Sequence, residues 1–153
     1  MRTLQMAAAV LWAWCCVAAE PVTLVDFEKQ GHGWHGNPRT QTVPQGGGFT
    51  VDLTGDDPWV EGPVVAVPGF GEAQKLALTL DAVSDAQGAF QLFYALPGKG
   101  FTEDATIRLN RMPGGSAYRG FIPAVGEKLR FRIDPPGSEG RVSFHALRAL
   151  PLI

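Results

Sequence analysis

Beyond position 16 this 153-residue chain has no cysteine: Cys15 and Cys16 both lie in the opening segment "MRTLQMAAAVLWAWCCVAA". That segment, residues 1–19, has an arginine near its start, an apolar centre and the small residues Val17, Ala18 and Ala19 before Glu20. This is the pattern of an export leader cleaved near Ala19, and it predicts an exported domain, periplasmic or secreted. Residues 20–153 then carry no thiol, which excludes a disulfide, a cysteine nucleophile and a cysteine metal site. Trp12 and Trp14 occupy the places where a lipoprotein leader would have leucine and a small residue ahead of Cys15, so lipid anchoring is not expected. An exported chain without disulfides points to a bacterial source and to a hydrophobic core as the origin of stability. Long apolar runs are also missing, because after the leader nothing approaches ~18 unbroken apolar residues, and no membrane insertion is expected. Nor does one sign of charge dominate: Lys and Arg total 13, Asp and Glu 15, and the net charge is -2. With both signs interspersed, electrostatics predicts neither nucleic acid nor an anionic membrane as partner.

Uninterrupted stretches of helical length are scarce as well. The 19 glycines and 12 prolines recur in breaks such as "NPRT", "TGDDP", "VPGFGE", "LPGKG" and "DPPGSEG". Only "LDAVSDAQ" leaves room for a short helical turn. What the chain does have is period-two alternation: Phe49, Val51 and Leu53 share one phase, as do Leu76, Leu78 and Leu80. Ile107 and Leu109 alternate with Arg108 and Asn110, and Leu129, Phe131 and Ile133 alternate with Arg130 and Arg132. Each such run builds one dry face and one wet face. In the last run Val142 and Phe144 are out of phase with Leu147 and Ala149, which predicts a β-bulge. Roughly nine or ten runs at ~8–12-residue spacing predict an all-β fold, two antiparallel sheets packed as a sandwich or jelly roll. Residues 20–153 form one domain of a size that buries a substantial core.

The densest chemistry lies in "DFEKQGHGWHGN", residues 26–37. Glu28, His32 and His35 are the candidates for a small metal-dependent hydrolase, but Gly31, Gly33 and Gly36 deny the histidines a helical scaffold. The competing expectation is that Phe27 and Trp34 plug one end of the core. A two-carboxylate hydrolase would draw on Asp52, Asp56, Asp57, Glu61, Glu103 and Asp104. Several of these stand in turn sequence, where an aspartate usually bonds local backbone N–H groups. No serine has a nucleophile-elbow context. The chain therefore reads as a non-enzyme that binds through planar side chains. Trp34, Trp59 and Phe101 are loop aromatics; Gln91 and Phe93 point outward if Phe90, Leu92 and Tyr94 point inward. Arg108, Asn110, Arg130 and Arg132 share that outward phase, and Arg132 is also placed to pair with Asp134 or Asp57.

These residues carry a resemblance. "DFEKQGHGW" resembles the "FE-x-G-x-x-GW" opening of carbohydrate-binding modules with the galactose-binding-like jelly-roll fold, especially families 4, 9 and 22. "GDDPWVEGP", then "GAFQLFYA" followed by "GKGF", then "LRFRIDPPGSEGRVSFHALRAL", continue the likeness in order across nearly all of residues 20–153. The resemblance implies non-covalent recognition of a glycan or a glycan-bearing surface, with Trp34, Trp59, Gln91, Phe93, Phe101, Arg108, Asn110 and Arg132 as ligand-binding residues. It also implies a structural calcium held by the first-motif glutamate, here Glu28, and an acid on the last strand. The last strand has His145-Ala146 at that place, and an imidazole is a poor calcium ligand, so the expectation is a packing role with no cofactor. Two alternatives stand beside the sugar reading: a structural or protein-binding sandwich in the cell envelope, and the hydrolase.

Overall fold

The computed structural model describes residues 20–44 and 48–153; the leader, with the export expectation attached to it, lies outside the described residues. Among the described residues twelve strands form: β1 (Val22–Asp26), β2 (His35–Gly36), β3 (Thr40–Val43), β4 (Phe49–Thr54), β5 (Val60–Glu61), β6 (Val65–Ala66), β7 (Lys75–Ser84), β8 (Phe90–Ala95), β9 (Thr106–Arg111), β10 (Ala117–Pro123), β11 (Lys128–Asp134) and β12 (Glu139–Leu152). A single 3-10 turn at Phe70–Glu72 is the one helical element among the described residues. The turn expected at "LDAVSDAQ" is not there. Lys75–Ser84 is one continuous strand, because the alternation of Leu76, Leu78 and Leu80 runs on through Ala82, which is also buried.

All pairings are antiparallel and follow the order β2-β5-β11-β8-β9-β10-β7-β12-β4-β3, with β1 added to β12 and β6 to β11. The path folds over where β9 meets β10, joined by only the pairs Tyr118 with Arg111 and Arg119 with Asn110. One layer is thus β3-β4-β12-β7-β10, and the other is β2-β5-β11-β8-β9. Their inner faces meet in one core: Leu76, Leu78, Leu80, Val51 and Phe144 come from the first layer, and Phe90, Leu92, Leu109, Phe131 and Ile133 from the second. Phe90 reaches across to Phe144 edge to face, with ring centroids 6.0 Å apart. Each fully buried side chain of this kind contributes about 1.5–3 kcal/mol of transfer free energy. The expected antiparallel sandwich is borne out.

The predicted bulge is present. The β12–β7 register passes from Phe144 opposite Ala82 to Ala146 opposite Asp81, leaving His145 as the extra residue. Its carbonyl accepts the Phe27 N–H at 3.0 Å, which ties the start of the chain to the last strand. Among the described residues no helix is long and apolar enough to cross a membrane.

Candidate functional site

The outer face of the second layer collects planar side chains in cross-strand rows. Pairing fixes the rows, since residues opposite one another in an antiparallel ladder project to the same side. One row is His35, Glu61, Arg132, Phe93 and Thr106, taken across β2, β5, β11, β8 and β9. A neighbouring row is Asp134, Gln91 and Arg108. On the other side of Arg132 lies Arg130, opposite Ala95.

Arg132 is the centre of this face. Its guanidinium carbon lies 5.0 Å from the Trp59 ring centroid and 4.8 Å from that of Phe93. Its Nε and Nη2 donate to the two carboxylate oxygens of Asp134, both at 2.7 Å, and Asp57 lies 3.6 Å away. Burial works against the Arg132 charge, yet the hydrogen bonds and charge of Asp134, with Asp57 and Glu61, outweigh it and raise its pKa. For Asp134 the balance tips the other way: burial pushes its carboxyl up, and Arg132 pulls it down without cancelling the shift, because Asp57 and Glu103 add like charge. Arg130 repeats the arrangement on a smaller scale, 5.0 Å from the Phe101 ring centroid and 3.7 Å from Glu61, which also stands 3.4 Å from His35.

Of the expected ligand-binding residues, Trp59, Gln91, Phe93, Phe101, Arg108 and Arg132 are brought to this face. Their exposure differs in ways alternation could not show. Phe93 points outward but is only 4% exposed, covered in part by Arg132, whereas Trp59 and Phe101 remain part-exposed. Asn110 shares the outward phase of Arg108 but stands at the fold-over, opposite Arg119, beside a separate hollow lined by Ser84, Gln87 and Tyr118. Trp34 is elsewhere altogether. It is 6% exposed, edge-on to Phe27 at 5.0 Å, and its indole lies so close to Gly62 that a Cβ there would stand 2.3 Å from its ring. So enclosed, Trp34 packs into the core cluster and touches solvent only at the hollow it lines with His32 and Val25. Its Nε1 is buried without a hydrogen-bond partner among the described residues.

Asn37 is the residue that sequence reasoning missed. Its amide nitrogen donates to the Asp57 carbonyl at 2.8 Å, its backbone N–H donates to the Trp59 carbonyl at 3.0 Å, and its Oδ1 accepts from Trp59 N–H at 3.4 Å. The same Oδ1 accepts the Arg39 N–H at 3.1 Å, an Asx-turn. Asp57 itself has a left-handed backbone, φ 54°, unusual without glycine, and Asn37 and Arg132 both hold its loop. The Asn-Pro pair in "NPRT" signals a turn, but nothing in it announces a clamp on a loop twenty residues away.

The candidate metal residues do not gather at one point among the described residues. Glu28, His32 and His35 diverge: Glu28 stands 3.3 Å from His145, and His35 faces Glu61 on the outer sheet face. His32 turns inward, its Nδ1 accepting the Trp34 N–H at 3.0 Å and its ring lying 5.1 Å from Phe49. Positive φ at Gly31 and Gly33, 76° and 78°, turns the chain between these orientations. Burial holds the His32 pKa below its ordinary value. Among the described residues no three His, Cys, Asp or Glu side chains converge on one point. At Glu28 the donors are one exposed carboxylate and one imidazole, a set that does not fit a calcium ion. Asp52, one of the hydrolase acids, sits on the other layer, paired with Arg141 at 2.8 Å and away from Glu61.

The chain is a two-layer antiparallel sandwich with planar side chains gathered on one outer sheet face. Comparison with solved structures gives the fold a family context. A family 6 carbohydrate-binding module of Cellvibrio mixtus lichenase 5A, solved in complex with cellotriose, is similar at a TM-score of 0.52 and 16% identity, covering 86% of this chain and 100% of that one. The C-terminal family 6 module of a marine laminarinase from Zobellia galactanivorans is similar at a TM-score of 0.52 and 14% identity, covering 85% and 98%. At such identities the likeness is one of fold: this chain has the β-sandwich of carbohydrate-binding modules. Neither structure comes from families 4, 9 or 22, so the broad resemblance holds and the narrower one is not shown. No family model matches the chain, and no curated protein matches it.

Proposed function

We propose that this chain is a non-catalytic, exported glycan-binding domain whose ligand lies along the outer face of β5, β11, β8 and β9. The observation that carries the reading is the set of part-exposed rings, Trp59 and Phe101, tethered to the same sheet face by Arg132 and Arg130. Sugar rings pack their C–H faces on aromatic rings, and their hydroxyls need fixed planar donors and acceptors. Gln91, Arg108 and Asp134 supply those beside the rings. The span from Trp59 to Arg108 is three strand spacings, about 14 Å at ~4.8 Å each, which suits an extended oligosaccharide. A module of similar fold solved in complex with cellotriose supports the reading.

The test is binding of the leaderless chain to a glycan array, with affinity for each hit measured for wild type and Trp59→Ala. The variant should keep its melting transition and lose roughly two- to tenfold in affinity, the range of one stacked ring. Full retention of affinity in Trp59→Ala refutes the placement, and an array without hits refutes the reading. The envelope protein-binding alternative has one observation in its favour: Phe121, 54% exposed, lies on the outer face of the first layer at the end of the cross-strand row Phe121, Ala77, Leu150. A stable protein partner lost on Phe121→Ser, with no glycan hit, favours that alternative.

A further inference from the structure

The second row of the sheet face has a property that neutral-sugar recognition does not require. Asp134, Gln91 and Arg108, with Ala89, Phe90 and Pro135, line a shallow pocket of about 380 Å3. That is at the low end of the ~300–1,000 Å3 of small-ligand sites, room for one residue of a chain. Arg130 and Arg132, the other arginines of this face, are each matched to a carboxylate, Glu61 and Asp134. Arg108 is not: among the described residues it has neither an ion-pair partner nor a side-chain hydrogen bond, and the Gln91 amide beside it has no side-chain hydrogen bond either. Asp134 does not supply the missing anion, since both its oxygens already accept from Arg132. The pocket therefore holds one guanidinium without an ion-pair partner among the described residues, a fork suited to a planar or tetrahedral oxyanion, an amide able to donate beside it, and the Asp134 carboxylate, which is paired with Arg132.

We infer that this pocket takes an anionic substituent of the glycan, a uronic acid carboxylate or a sulfate ester, with Arg108 as its counter-charge and Gln91 as an added donor. The inference rests on the glycan-binding reading and names the chemical class of the ligand. Arg108 determines specificity, while Trp59 carries the ring contact common to charged and neutral chains.

The experiment uses matched probes: oligogalacturonide against its methyl ester, and a sulfated galactan oligosaccharide against its desulfated form, titrated into the leaderless chain. At least one anionic member should bind about tenfold more tightly than its neutral counterpart at low salt, the scale of a charge-assisted hydrogen bond. Which pair shows the preference identifies carboxylate or sulfate. The preference should shrink at 0.5 M salt, as screening shortens the reach of the charge. Arg108→Gln should abolish the preference, weakening the anionic member far more than the neutral one, whose hydroxyls the replacing amide can still meet. Equal binding of both members by wild type, with Trp59→Ala still weakening both, overturns the inference and leaves the glycan reading standing; so does a preference that survives Arg108→Gln. Binding of no probe, with no hit on the array, overturns both.

Discussion

Replacing Arg132 by methionine keeps most of the side chain's length and removes its charge, and the network around it sets the consequence. Asp134, whose side chain is 14% exposed, loses a partner that is itself 21% exposed and that donates two hydrogen bonds of 2.7 Å. Breaking a fully buried pair from one side costs about 3–5 kcal/mol, most of it the stranded charge; with both groups partly wet, about 2–3 kcal/mol is expected here. Loss of the cation contacts to Trp59 and Phe93 adds about 0.5–1 kcal/mol. For a domain of this size the sum lowers the melting temperature by roughly 10 °C. Because the stranded charge is the main cost, adding Asp134→Asn to Arg132→Met should recover more than half of the loss. Acidity should act in the same direction. The Asp134 pKa is already raised by burial, and without Arg132 it rises further. A carboxyl with a raised folded pKa contributes stability that is fully present below the unfolded value and is lost as pH rises through the folded value. Arg132→Met should therefore regain stability relative to wild type as pH falls through the acid range. Urea titrations of the single and double variants at several pH values decide it: a cost below about 1 kcal/mol, or no rescue by Asp134→Asn, refutes the view of Arg132 as the centre of the face.

Other outcomes follow from the same geometry. Asn37→Ala removes the side-chain hydrogen bonds to the Asp57–Trp59 loop, so it should lower stability by only about 1–2 kcal/mol while weakening glycan affinity about tenfold through a misplaced Trp59; unchanged affinity would show that the loop holds itself. Trp34→Ala should cost about 3–5 kcal/mol as a core truncation, and Trp34→Phe, which also removes the unpaired buried Nε1, should recover most of it and bind glycan like wild type; loss of binding in a folded Trp34→Phe would return Trp34 to the site. His32 is held neutral by burial and by accepting the Trp34 N–H, so its contribution is present above its ordinary value of 6.5 and lost as pH falls through the lower folded value. His32→Asn keeps an acceptor without the titration, and its melting temperature should vary less than that of wild type between pH 7.5 and 5; parallel curves would place the pH sensitivity elsewhere.

Much of this protein is written in local pattern. Alternation at Phe49–Leu53, Leu76–Leu80 and Leu129–Ile133 names the buried face of three strands, and the phase break before Leu147 names the bulge, because side-chain direction along one strand depends on that strand alone. The outward set of Gln91, Phe93, Arg108, Arg130 and Arg132 follows from the same rule. What tertiary structure decided is which of these are neighbours and which are covered. That depends on strand order and register, which bring β5 beside β11 and β2 beside β5 across long stretches of chain. Two tryptophans that look alike among glycine and proline part company for this reason: Trp34 fills space that Gly62 leaves open, and Trp59 is held at the surface by Asn37 and Arg132. The histidines of "DFEKQGHGWHGN" are separated by Gly33, whose backbone is in the left-handed region, so proximity in sequence does not become convergence in space. Periodicity is a one-dimensional property and sufficed for the layers; a site requires side chains to meet from different strands, and only the folded chain determines those meetings.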